Sequence, residues 1–432
     1  MGFTRDQAGR ALLGGTSLST LLDDPRVSTP AYVYDLDGVA SEAKRVVAAF
    51  DGIPHLVAFA VKANSGGPII RALRAEGAGA DVVSGGELDL VLACGVPPGD
   101  VVYSGVAKSD AELDRAIGIG PSGIFSIQAE SVEEIPRIEA RARAAGRAAR
   151  ICLRINPGIE ADTHSYIATG HDEAKFGIPR SELGLAIEAV LAAKNVQLVG
   201  VSSHIGSQLT TLDAYVSAAR MLLTTASACE VAVTSAGRPP FELVDFGGGF
   251  GIDYGDGCEA KPEDFIRALV DEVRRAGRDR IRTLVEPGRC LVGAHGVLLS
   301  RVVMQKRARP GEQERRWLII DAGMNDLLRP ALYEALHRIE PLEAAPPPAG
   351  GGVPMRVVGP VCESSDDFGT HGMPDPAPAS VVIRDAGAYG FTMASEYNGR
   401  GLPIEVFLRA GAIDTIVRPR PASAWVKERL GQ

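Results

Sequence analysis

From residue 36 onward the chain alternates between two hydrophobic rhythms. Short continuous apolar runs mark strands buried on both faces. Longer stretches with apolar residues every three or four positions mark amphipathic helices. Eight runs are read as strands: His55–Val61, Ala80–Ser84, Val101–Ser104, Gly123–Ile127, Arg150–Ile155, Leu198–His204, Phe241–Phe246 and Arg282–Glu286. A helix is predicted ahead of them at Leu36–Phe50. Between them, helices are predicted at Ile69–Glu76, Glu87–Ala93, Ala111–Ile117, Val132–Ala145, Glu182–Ala193, Leu212–Ala228 and Pro262–Ala276. Ser109, Ser131 and Ser181 stand where N-caps are needed. Eight strands with intervening helices over about 250 residues predict an α/β fold built on a (β/α)8 TIM barrel, the leading helix filling the eighth helix position. An open doubly wound sheet is the competing architecture. The barrel is preferred because the chemistry-bearing residues follow the C-terminal ends of many strands.

After Arg289 the texture changes. Strand-like runs at Gly296–Met304, Trp317–Asp321, Met355–Val358, Val381–Arg384 and Ile404–Leu408 are joined by turn-rich segments with little helix. They predict a second, β-rich domain of sandwich or barrel-like form, 290–432, joined by the N-terminal piece 1–35 that ends in Pro30-Ala31-Tyr32-Val33-Tyr34. The barrel domain is placed at 36–289. The Pro/Gly-rich stretches Ala344–Pro354 and His371–Ala379 are read as mobile loops.

Composition narrows the function classes. Hydrophobic residues are 45% of the 432, which supports packed cores rather than disorder. The net charge is −9 and no segment collects a basic stripe, so nucleic acid and anionic membranes are poor partners. Cys94, Cys152, Cys229, Cys258, Cys290 and Cys362 are irregularly spaced with no C-x-x-C pair, which reads as reduced thiols of a cytoplasmic protein and not as a disulfide frame or metal site. Met1–Leu22 lacks a signal-peptide core, and no uninterrupted apolar stretch is long enough to span a bilayer.

Four segments carry chemistry, after strands one, six, seven and eight. Lys62 ends the first apolar run, where partial shielding from water favours a nucleophilic amine, the requirement for a Schiff base with an aldehyde cofactor or a carbonyl substrate. His204, in His-Ile-Gly-Ser-Gln, offers a flat ring for stacking, with Ser207 as a phosphate donor. Gly247-Gly248-Gly249 lets backbone N–H groups converge on an anion. Glu286-Pro287-Gly288-Arg289 supplies a carboxylate able to keep a pyridine nitrogen protonated and a guanidinium for a carboxylate or phosphate. Each alone is also an ordinary turn, surface pair or structural histidine. Converging on one barrel face, they fit pyridoxal 5′-phosphate (PLP) better than a sugar phosphate or a metal.

Longer motifs then add a resemblance. They include Ala60-Val61-Lys62-Ala63-Asn64-Ser65, Asp81-Val82-Val83-Ser84-Gly85-Gly86-Glu87-Leu88, Arg154-Ile155-Asn156-Pro157 and Lys175-Phe176-Gly177-Ile178. Further on come Asp326-Leu327-Leu328-Arg329-Pro330-Ala331-Leu332-Tyr333, Gly359-Pro360-Val361-Cys362-Glu363-Ser364, Gly387-Ala388-Tyr389-Gly390 and Tyr397-Asn398. From about residue 30 to 410 the chain resembles the barrel-type (fold type III, alanine racemase-like) PLP-dependent decarboxylases. The resemblance implies that Lys62 bonds the cofactor aldehyde, His204 stacks on its ring and Glu286 faces its nitrogen. It implies that Ser207, Gly247, Gly248, Gly249, Pro287, Gly288, Arg289 and Tyr397 surround the phosphate and nearby substrate. Cys362 resembles a proton donor supplied by the partner subunit of a homodimer. Arg289, Arg329, Tyr333, Glu363 and Tyr397 look like the group that grips the substrate. The activity so implied is decarboxylation of meso-2,6-diaminopimelate to L-lysine and CO2, the last step of lysine biosynthesis. Two positions depart from the usual pattern: Glu396 and Ala174 stand where relatives often carry asparagine.

Three alternatives are weighed. A sister decarboxylase would act on ornithine, lysine, a carboxylated polyamine or a carrier-bound acyl amino acid, none of which needs Arg329 for a distal carboxylate. A racemase needs a tyrosine-type acid–base partner opposite Lys62, where Cys362 and Glu363 fit decarboxylation better. A non-catalytic PLP-binding homologue would have lost Lys62 or Cys362, and both are present.

Overall fold

The computed structural model describes residues 2–158, 175–307, 316–347 and 351–432. Ala174 and the centre of the Pro/Gly-rich stretch 344–354 lie outside the described residues. Packing divides the chain into two compact units. One is Ala40–Ile252 with Cys258–Cys290; the other is Met1–Val39, Asp253–Gly257 and Leu291–Gln432.

The first unit is a closed barrel of eight parallel strands: His55–Ala60, Gly79–Val82, Val101–Tyr103, Ser126–Ala129, Ala149–Arg154, Val196–Ser202, Leu243–Asp245 and Arg282–Val285. All eight predicted strands are present, with ends shifted by a few residues. Closure comes from the eighth strand pairing with the first, Thr283–Val285 beside His55–Val57. Beyond that register Ala60 N–H still donates to the Pro287 carbonyl at 3.1 Å. Leu56, Ala58, Val102, Phe125, Cys152, Val199, Leu243 and Leu284 fill one apolar cluster of this unit. A helix separates each strand from the next, the open doubly wound alternative being excluded by the closed ring.

Local chemistry sets the helix starts. Ser109 and Glu112 form a reciprocal capping box at the head of Asp110–Gly118. Ser84 accepts from Glu87 N–H at the head of Gly85–Ala93. Ser131 accepts from Glu134 N–H at 3.3 Å but is not the N-cap, which falls at Glu133 ahead of the helix Glu134–Ala144. Ser181 is not an N-cap: it lies inside a 3-10 turn, Arg180–Glu182, that leads into the helix Leu183–Ala192. The helix predicted to end at Ala228 runs on to Ser235. With that extension it becomes, among the described residues, a helix long and apolar enough to cross a membrane by length and composition. Its apolar face, including Tyr215, Leu222, Ala226 and Cys229, is instead buried within the barrel unit. Arg220 on its exposed side pairs with Glu272 of the next helix at 2.8 Å.

The second unit is a nine-stranded sheet. Its centre is Ala31–Asp35, antiparallel to Gly296–Lys306 and parallel to Ile404–Arg409. Every residue of Ala31–Asp35 is buried. Ala11, Leu13, Leu18, Val33, Leu299, Val382 and Val406 share one core cluster with it. Two readings change here. His371–Met373 belongs to a strand, Asp367–Met373, that pairs with Val353–Val358 and buries Phe368 and Met373. That pairing also draws Val353 and Pro354 out of the predicted loop. The cause is alternation hidden by glycine: Gly372 pairs with Pro354 in register, while Gly369, at φ +88°, lies where the register of the ladder shifts.

Glu405, on the strand Ile404–Arg409, is buried beside Tyr34, and burial pushes its carboxyl up to about 7. A raised carboxyl pKa means stability is fully present below the unfolded value near 4.5 and lost as pH rises through about 7. Glu405→Gln is therefore expected to match the parent at pH 4.5 and to exceed it at pH 8 by up to about 3 kcal/mol. Thermal melts of both proteins across that range check the sign.

Candidate active site

Lys62 sits two residues beyond its strand, which ends at Ala60, in a 3-10 turn spanning Val61–Ala63. Its Nζ lies 2.7 Å from Asp81 Oδ2, at the end of the second barrel strand. The lysine side chain is 37% exposed and that of Asp81 fully buried, so the amine faces the mouth while its counter-ion stays below.

Opposite the lysine in sequence, the eighth strand delivers Glu286, which is buried and accepts from Ser104 Oγ at 3.3 Å. Its carboxyl is pushed well above the ordinary range, first by burial and then by Asp245 and Asp81; Lys62 opposes the shift. Asp245 ends the seventh strand and is fully buried. It accepts from Gly247 N–H at 2.9 Å and from Gln128 Nε2 at 2.8 Å, and Gln128 in turn accepts from Ser202 Oγ at 2.6 Å. Burial raises the Asp245 carboxyl to about 6, while its hydrogen bonds lower it. A hydrogen bond joins Asp245 and Glu286. Two carboxylates so placed cannot both ionise cheaply. Asp245, already accepting from two N–H donors, keeps the charge, and Glu286 carries the shared proton.

The glycines follow at once. Gly247 and Gly249 have φ of +64° and +97°, the left-handed region that favours glycine, with the Gly247 N–H held by Asp245 and the Gly248 N–H by His204. A Cβ on Gly247, Gly248 or Gly249 would overlap the carbonyl oxygens of Ser203, Glu286 and Gly206 respectively. Only bare backbone fits there. A Cβ on Gly288 would meet those of Ala63 and Ala60 at 2.9 and 3.1 Å. His204 lies two residues past the sixth strand, and its Nδ1 accepts from Gly248 N–H at 3.2 Å, leaving the ring proton on Nε2. Burial, Arg154 and Lys62, in that order, push the imidazole well below its usual pKa, so it is neutral. Arg289 is buried and donates from Nη2 to Ser207 Oγ at 3.0 Å. The barrel mouth thus gathers Lys62, His204, Ser207, Gly247, Gly248, Gly249, Glu286, Pro287, Gly288 and Arg289: one amine, one proton-bearing carboxyl, one neutral ring, one guanidinium and a tightly packed glycine turn.

The β-rich unit holds the remaining predicted site residues in two groups. In the first, Tyr397 donates to Glu363 Oε1 at 2.6 Å, and Cys362, exposed, donates its backbone N–H to Asn398 Oδ1 at 2.9 Å. Asp366 braces that loop by accepting from Met324 and Val361 N–H, each at 2.6 Å. In the second, Arg329 is buried with Nη1 2.8 Å from His337 Nε2, and Tyr333 closes the same short helix.

A family model described as the pyridoxal-binding domain of pyridoxal-dependent decarboxylases matches residues 36–293. The chain belongs to the pyridoxal-dependent decarboxylases.

Relatives of this family cover nearly its whole length. It is 39% identical over 398 residues to the diaminopimelate decarboxylase of Zymomonas mobilis, covering 91% of this chain and 90% of that one. The solved diaminopimelate decarboxylase of Helicobacter pylori, complexed with L-lysine, is 34% identical with a TM-score of 0.83, covering 96% of this chain and all of that one. That of M. jannaschii, also with L-lysine, is 31% identical with a TM-score of 0.86, covering 99% and 97%. The cofactor of this pyridoxal-dependent decarboxylase is pyridoxal phosphate, and the mouth fits it: the buried Arg289–Ser207 pair offers donors for a phosphate, a buried proton-bearing carboxyl suits the ring nitrogen and an amine suits the aldehyde.

Sequence reasoning missed the supports. Asp81 lies in a motif already singled out, at a strand end facing Lys62, and that placement was the signal. Ser104, Gln128, Ser202 and Asp245 are isolated polar residues inside apolar strands, and a polar residue among buried ones is itself the clue. Nothing local marks Tyr254 and His337, which meet Arg329 only in the fold.

Gly248→Ala is expected to cost at least about 2 kcal/mol, because the new methyl meets a backbone oxygen that cannot swing away. It should also abolish the visible absorbance of bound cofactor. Gly184→Ala, at a helical position with open space around it, should be neutral or slightly stabilising. Urea titrations of both variants with absorbance spectra decide this.

Proposed function

We propose that this chain decarboxylates meso-2,6-diaminopimelate to L-lysine and CO2. The observation that carries the reading is its similarity, across about nine-tenths of its length, to enzymes named for that reaction. The solved relatives with L-lysine bound support it further.

Bound pyridoxal phosphate supplies an electron-poor ring that takes up the electron pair left when CO2 departs. Lys62 provides the amine that tethers the cofactor aldehyde, and Asp81 orients that amine. Ser207, Gly247, Gly248, Gly249, Pro287, Gly288 and Arg289 hold the phosphate, with Tyr397. His204, fixed through Nδ1 and uncharged, would offer its flat face to the ring without competing for its electrons. Glu286 holds a proton for the ring nitrogen; Asp245 keeps that proton in the pair rather than in solvent. Arg329, with Arg289 and Tyr333, holds the carboxylate that stays, and Glu363 the distal ammonium. Cys362 returns a proton to Cα, and its exposure in a braced loop suits a group that reaches another subunit's site. The active form in this reading is a homodimer with shared sites, working in the cytoplasm. Nucleic acid and membranes have no part in the reading. The barrel is read as a (β/α)8 barrel over 36–289, and the β-rich domain as 1–35 with 290–432.

Purified protein should release CO2 from meso-2,6-diaminopimelate and yield L-lysine by chiral analysis. Release from another amino acid alone would move it to a sister decarboxylase. Borohydride treatment and digestion should place a pyridoxyl mass on the Lys62 peptide. Cys362→Ala should keep the cofactor absorbance while turnover falls by about 100-fold or more; a fully active variant would remove Cys362 from the mechanism.

A further inference from the structure

Segment Asp253–Gly257 packs with the β-rich unit and brings Tyr254 with it. The Arg329 guanidinium carbon lies 4.7 Å from the centroid of the Tyr254 ring, and the His337 ring meets that ring edge-on at 5.4 Å. Arg329 Nη1 is 2.8 Å from His337 Nε2, and His337 Nδ1 is 2.9 Å from the Arg384 carbonyl oxygen. A guanidinium only donates and a carbonyl only accepts. His337 Nε2 must therefore accept, and the ring's proton must sit on Nδ1. The geometry admits one tautomer and one charge state, the neutral imidazole. Arg329 and His337 are 7% and 4% exposed. An imidazole lone pair and a π face orient a cation without neutralising it. A carboxylate placed there would orient Arg329 equally well but would spend its charge.

Charged neighbours surround the cluster from each element packed on it. Arg338 pairs with Asp385 at 3.0 Å and with Asp253 at 3.9 Å, and Arg384 pairs with Glu340 at 3.0 Å.

We propose that His337, seated against Tyr254, is the positioning residue that aims Arg329 at the distal carboxylate of the substrate, so that the site prefers a diamino dicarboxylate to a diamino monocarboxylate such as lysine or ornithine. This rests on the role given to Arg329 above. The hydrogen bond works only while Nε2 is bare. A proton there sets donor against donor and cation against cation, and Arg329 loses its aim.

The test uses the holoenzyme and meso-2,6-diaminopimelate. His337→Leu should raise KM about 10- to 100-fold, the loss expected for a hydrogen bond to a charged group, with kcat within about 3-fold. His337→Gln, whose amide oxygen still accepts, should recover most of the lost affinity. Unchanged KM in the leucine variant overturns the proposal, as does equal loss of kcat and KM with falling cofactor content, the mark of a merely structural role. If the leucine variant fails to fold, the glutamine variant decides: a KM raised as far as in Arg329→Gln, at full cofactor content, overturns it. Arg329→Gln separates the two readings. Unchanged KM there removes Arg329 from the substrate site; raised KM there with normal His337 variants sinks only the role of His337.

Discussion

The pairing of the last barrel strand with the first is the constraint on which the site depends. Thr283–Val285 lies beside His55–Val57, and the Ala60 N–H to Pro287 carbonyl bond carries the register past the strand ends. Lys62 and Glu286 come from opposite ends of the unit's sequence, and only closure brings both to one mouth. The close fit of Gly288 against Ala60 and Ala63 shows how little slack the seam has. A side chain there would open the ring at the point where amine and carboxyl must face one cofactor.

Closure also concentrates negative charge. Asp81, Asp245 and Glu286 are all buried and Lys62 is one cation among them. Left ionised together, the three would repel strongly in so dry a place. The arrangement answers this by division of labour. Asp81 is committed to Lys62, Asp245 to Gln128 and the Gly247 N–H, and Glu286 is left as the group that keeps a proton. One proton is thereby stored where a pyridine nitrogen can use it. His204, held neutral by the same dryness and by Arg154, adds a flat surface without adding charge.

Periodicity made the barrel legible. Each strand is a short apolar run and each connection repeats at helical spacing, so the only errors were at ends, as where Lys62 proved to follow its strand rather than finish it. The residues at strand tips were legible for the same reason: in a parallel barrel, whatever directly follows a buried apolar run emerges at the mouth. What lay hidden was of two kinds. The strand Asp367–Met373 is disguised by two glycines, which read as a loop until Val353–Val358 pairs with it. Of the supports of the site, Asp245 behind Glu286 shows in the sequence only as a polar residue in an apolar run, and His337 behind Arg329 is marked by no local pattern at all.

The central strand of the β-rich sheet, Ala31–Asp35, is synthesised about 260 residues ahead of its nearer neighbour Gly296–Lys306, and further still ahead of Ile404–Arg409. At ribosomal speeds of about 5–20 residues per second that strand waits on the order of tens of seconds for its neighbours. Throughout the wait its five wholly interior residues and both unpaired edges are open to any sticky passer-by. The nascent chain thus has a built-in interval of vulnerability, in which the barrel has time to form first and a chaperone has something definite to shield.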